Sequence, residues 1–145
     1  MLVGITALLV CYAPLYLAHN RAAQHCLDAL SKLPLPPDAT FATKDWEIGT
    51  YEGASQLCEA AAFIVIKSDA PKERILDFYH TRFPALGKEL DADCYVASLD
   101  NLPQVEVPSG ITTLAEHSAS NQKSSTYAIW VILPLENMSW DIRGW

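Results

Sequence analysis

The chain has 145 residues, half of them apolar, with 17 acidic against 10 basic residues and a formal charge of −7. That length and apolar content argue against disorder and fit one ordinary domain with at most an appendage. The acidic balance and the scattered basic residues argue against nucleic acid as a partner, since such binding begins with Lys and Arg neutralising phosphates.

The segment from Met1 to Ala18 carries no charge, and every charged residue of the chain follows it. As a helix it reaches about 27 Å, the thickness of a thin hydrocarbon core. Tyr12, Tyr16 and the run His19-Asn20-Arg21 mark an interfacial boundary, and a membrane helix tolerates Pro14. A cleaved secretory signal wants a basic start and small residues before the cut. Neither is present: cutting after Ala18 leaves Tyr16 at −3, and cutting after Ala13 places Pro14 at the scissile bond. Lipidation at Cys11 meets the bulky Val10. The expectation is an uncleaved, single-span anchor. Arg21 and Lys32 favour a cytoplasmic domain by the positive-inside rule. Cysteines outside the anchor and an acidic surface favour the opposite side, and we read the domain as extracytoplasmic, periplasmic or extracellular.

Past the anchor, Ala22, Ala23, Cys26, Leu27, Leu30 and Leu33 recur at helical spacing, so the first helix is expected to extend to residue 33 with an apolar stripe. Pro34, Pro36 and Pro37 end it, and residues 34–42 read as a stiff connector. Residues 43–51 alternate loosely around Trp46 and Ile48, as in a strand. The run from Ala60 to Lys67 (AAAFIVIK) fits a strand buried on both faces. Ser68-Asp69-Ala70-Pro71 then opens a helix whose Ile75, Tyr79 and Phe83 share one face, with Pro84 and Gly87 as its stop. Cys94 to Leu99 reads as a strand, Gln104 to Val107 as a short edge strand, and Thr126 to Leu133 (TYAIWVIL) as the strongest strand of all. Ser139 to Trp145 is a candidate last strand. The fold class expected is α+β: a transmembrane helix, then a domain over 43–145 built as a mostly antiparallel sheet with one packed helix.

Chemical motifs are sparse. Cys11, Cys26, Cys58 and Cys94 form no C-x-x-C pair, which argues against zinc, thioredoxin-like and c-type haem sites. Cys58 and Cys94 sit near the starts of two strands flanking the Pro71–Phe83 helix. In a β-α-β crossover with adjacent parallel strands those starts lie within disulfide reach, so this pair is expected to be oxidised. Pairing of Cys26 with Cys58, and two buried free thiols, are the alternatives. His19 and His25 fall on different helical faces, and His19 is read as a polar anchor rather than a haem or pigment ligand. His80 and His117 are expected at the surface. Asp91-Ala92-Asp93 lacks the spacing of a calcium loop and reads as a solvated turn. Gly53-Ala54-Ser55-Gln56-Leu57 lacks the second glycine of a nucleophile elbow. No catalytic residue, cofactor or metal is therefore assigned.

What remains is surface that needs covering. Leu27 and Leu30 on the helical stripe, and Trp140, Ile142, Arg143 and Trp145 in the tail, are the expected docking residues, since aromatics and Arg dominate interface energetics. The function expected is a non-catalytic accessory or structural subunit of a larger membrane assembly. The bilayer contact is through residues 1–18. A free-standing exported ligand-binding or envelope domain is the alternative, and a membrane-tethered enzyme is less favoured.

Overall fold

The structure, a computed structural model, describes residues 2–49, 59–103, 107–118 and 125–135, with the side chains of the first helix from Tyr16 onward. In chain order it has α1 (Leu2–Ser31), β1 (Ala39–Gly49), β2 (Glu59–Ser68), α2 (Lys72–His80), α3 (Phe83–Leu90) and β3 (Asp93–Ser98). A 3-10 turn at Leu99–Asn101, α4 (Ser109–Ser118) and β4 (Ser125–Pro134) follow. The four strands form one antiparallel sheet in the order β1-β2-β4-β3. The α+β class with an antiparallel sheet is as expected.

Both central strands are buried on their two faces, which is why they read as nearly continuous apolar runs. Ala62, Ile64 and Ile66 of β2 and Tyr127, Ile129 and Val131 of β4 meet α1, α2 and α3 on one face. Their neighbours Ala61, Phe63 and Val65, with Ala128, Trp130 and Ile132, meet Leu99 and Ile111 on the other. The sheet therefore lies between two helical layers. This corrects the expectation of one packed helix. The helix expected over 71–83 ends at His80, and Pro84 stands in the first turn of a separate α3. Proline there needs no amide partner, so it starts this helix as readily as it stops the previous one. Ile75, Tyr79 and Phe83 nonetheless share the buried face as expected.

Helix α1 is unbroken from Leu2 to Ser31, about 45 Å long. Among the described residues no helix is long and apolar enough to cross a membrane. The expected anchor, residues 1–18, falls mostly on side chains 1–15, which lie outside those described; Tyr16, Leu17 and Ala18 are exposed. Among the described side chains of α1, Tyr16 and Leu17 are exposed, whereas His19, Ala23, Cys26, Leu27 and Leu30 are buried. Ala23 meets Ala60 and Leu135 near the ends of β2 and β4. Farther along, the Lys44 Nζ donates to Ser31 Oγ at 3.2 Å from the middle of β1. The helix thus runs along the strands and leaves the sheet at the end marked by Gly49, Glu59 and Pro134. β1 begins at Ala39, inside the expected connector.

Candidate functional site

The two sheet edges are finished differently. β1 carries a bulge between Phe41 and Thr43, and its charged residues are used. Glu47, opposite Ala61, turns its carboxylate to the start of α4. It accepts from the Ser109 amide at 2.5 Å, the Ser109 hydroxyl at 2.8 Å and the Gly110 amide at 3.2 Å. Those amides belong to a helix start that has no carbonyl partners of its own. Close seating explains Gly110: a Cβ there would stand 2.7 Å from the Phe63 ring.

β3 is shorter, without a bulge, and reads Asp-Cys-Tyr-Val-Ala-Ser. It pairs with β4 on its inner side, and no described strand pairs with its outer edge. A groove of about 360 Å³ follows that edge. Tyr95, Trp130, Leu102 and Pro103 line it from one face of the sheet, and His80, Cys94 and Val96 from the other. The Tyr95 and Trp130 rings stack at 5.4 Å and 14°. His80 meets Phe83 edge-on at 6.0 Å. Asp93 and Asp100, both exposed, bracket the strand.

The groove holds a cysteine and a histidine, but the thiol is not activated. Burial first, then the charge of Asp93 and the neighbouring Cys26, push Cys94 up to about 11. It is a protonated, weak nucleophile at neutral pH. Burial alone takes Cys26 to about 11. Tyr79 rises to about 12 by burial, countered in part by Arg82, and its hydroxyl has no hydrogen-bond partner among the described residues. A second groove, about 390 Å³, lies between the end of α1 and α3 and includes Lys32, Arg82 and Glu89. Arg82 is engaged there: it covers the Phe78 ring at 3.6 Å and donates to the Phe78 carbonyl at 2.6 Å.

The expected site residues are dispersed. Leu27 and Leu30 are 6 % and 0 % exposed, packed in the core beneath α1. They are core residues and offer no docking surface. The helical period was right, but it does not say which partner covers the stripe. Trp140, Ile142, Arg143 and Trp145 lie outside the described residues, as does Cys58. Cys94 is a free thiol. The premise for joining it to Cys58 is corrected: β2 and β3 are parallel, but β4 lies between them. Two strand spacings are about 9.5 Å, whereas a disulfide needs its Cα atoms within about 7 Å. Cys26 and Cys94 share one core cluster instead.

His19 is buried, unlike an interfacial anchor, while His25, His80 and His117 are exposed. Asp91 is the left-handed cap of α3, with φ 52°, and opens the expected turn, which is over by Asp93, the first residue of β3. Of the residues 104–107, expected as an edge strand, 104–106 lie outside the described residues and Val107 is not in a strand. Among the described residues no group of three His, Cys, Asp or Glu side chains is placed to hold a metal. The β3 groove was not read from the sequence. Its one local signal is a strand without Lys or Pro set between two aspartates. Compared with protein families, curated proteins and solved structures, the chain matches none.

Proposed function

We propose that this chain is a membrane-attached, non-catalytic accessory subunit that presents its sheet domain, outside the cytoplasm, to a larger membrane assembly. The observation that carries this is the continuity of α1. One helix contributes core residues from His19 onward and continues past the sheet as a segment whose sequence is uncharged. A span in that segment is coupled to the domain without a hinge, which suits a subunit held at a fixed height and orientation. Burial of Leu27 and Leu30 removes one expected docking surface.

The test is reconstitution of the full chain in phosphatidylcholine vesicles. It should float with them, resist alkaline carbonate and lose only residues after 18 to external protease. Release by carbonate, or a mature chain beginning near His19, overturns the anchor. Purification in mild detergent should then retain a stoichiometric partner; a monodisperse monomer favours the free-standing ligand-binding domain.

A further inference from the structure

We propose that Cys26 of α1 and Cys94 of β3 are the two halves of a disulfide that oxidation closes between the long helix and the sheet. This rests on the reading of the domain as lying outside the cytoplasm, where such bonds persist, and its test on the purified chain is independent of that placement.

Both thiols are free in the structure, Cys26 buried and Cys94 half-buried, and they belong to one core cluster. Strand register and helix rise bring them level. Cys94 pairs with Val131, and Val131 with Ala62, so the three form one row across the sheet. On α1, Ala23 meets Ala60, and Ser31 accepts from Lys44, which stands opposite Ile64. Eight helical residues and four strand residues both cover about 12–13 Å, so Cys26 falls beside the Ala62 row. The directions agree as well. Ala29 and Leu33 line the groove between α1 and α3. Cys26 precedes them by three and seven residues and so lies on the same side of the helix. Cys94 turns its sulfur toward α3, since a Cβ at Gly87 would stand 3.7 Å from it. Small residues clear the space: Ala62 lies in the row, and Gly87 has no side chain. The charge of Cys26 is also felt at Cys94, where it adds to the rise of that thiol.

Burial distinguishes this pair from a redox sensor, which needs an exposed, ionised thiol. Both groups are pushed up to about 11, so the bond is structural and forms by exchange with a disulfide-bearing oxidant. Cys94, the more exposed, loses its proton to water and attacks one oxidant sulfur, which breaks that disulfide and releases one thiolate. Cys26 then loses its proton and attacks the Cys94 Sγ, expelling the second thiolate. The Cys26–Cys94 bond replaces the oxidant's S–S bond, two electrons pass to the oxidant, and its two thiolates take up the two protons.

The experiment exposes the purified full chain in detergent to glutathione disulfide over hours, blocks the remaining thiols in denaturant and maps the peptides by mass spectrometry. Cys26 and Cys94 should be recovered as one linked pair of peptides from the monomer. The closed loop has about 70 residues, so reduction should lower the melting temperature by about 10 °C. That shift should be absent in Cys26→Ala and in Cys94→Ala. The double variant Cys11→Ala, Cys58→Ala should close the same pair, and it keeps the test decisive where a Cys26 variant does not fold. Both thiols still alkylated after exposure, a stable mixed disulfide with glutathione at Cys94, or a bond from either residue to Cys58 or to a second chain overturns the proposal. A pair that is reduced in the chain as isolated, yet closed by glutathione disulfide, upholds the bond and overturns the placement outside the cytoplasm.

Discussion

β1 and β3 occupy opposite edges of one sheet, and they carry their charged residues differently. Its bulge breaks the register, Lys44 reaches back to α1, and Glu47 is committed to α4. Charge on β1 is thus structural. On β3 the one charge, Asp93, sits at its first position, and the residues after it lie along a groove. The difference separates a residue's type from its role: an acid on an edge strand can hold the fold or mark a contact, and only the position of its acceptors tells which.

The strongest way to break this contrast is to remove the wall of the β3 groove. Trp130 is 1 % exposed and stacked on Tyr95, so it belongs to the core as well as to the groove. Trp130→Ala should cost about 3–5 kcal/mol in chemical denaturation, the usual loss for a buried large aromatic. A cost under about 1 kcal/mol would mean the wall is loosely packed and the groove poorly defined.

Between the edges, the layer under α1 and α2 gives a pH test. Cys26 and Tyr79 are 1 % and 0 % exposed, and burial raises them to about 11 and about 12 from 9.0 and 10.0. A raised folded value means the unfolded chain releases its proton first, so the native state is favoured below the unfolded value. The stability that these two groups contribute should be constant below pH 9 and fall as pH climbs toward 11 and 12, the folded values. Each group contributes a slope approaching 1.4 kcal/mol per pH unit, roughly, in its window. Melting temperature against pH, for the chain and for Tyr79→Phe, measures it. An unchanged slope in Tyr79→Phe would show that the phenol gains solvent on ionising.

Much of the fold was legible because its signals are local. AAAFIVIK and TYAIWVIL are apolar on both alternations, which only a doubly covered strand requires, and both are central. Pro71 and Glu73 announced α2 in the same way. What was missed depends on distant residues. α4 begins Ser-Gly-Ile-Thr-Thr, a poor helix by propensity, and its start is satisfied from a strand 62 residues away. The insertion of β4 between β2 and β3 undid the reasoning that placed Cys58 beside Cys94, because strand order is fixed by long-range pairing. The groove was illegible for the same reason: Trp130, His80 and Leu102 converge only once β3 is an edge.

The smallest effect sharpens the comparison most, because it concerns the same residue class on the closed edge. Glu47→Gln keeps the length and one carbonyl oxygen but removes the charge facing the Ser109 and Gly110 amides. A carboxylate there complements the positive end of α4 and satisfies donors left over by helix geometry. The loss should be about 1 kcal/mol, as for other helix starts deprived of their acceptor, and smaller at high salt where the charge is screened. Amide exchange should quicken over 109–113 and stay unchanged in β3. If Glu47→Gln leaves both stability and exchange untouched, α4 is seated by Ile111 and Phe63 alone. The acid on β1 would then be no more structural than Asp93, and the contrast between the edges would rest on the bulge.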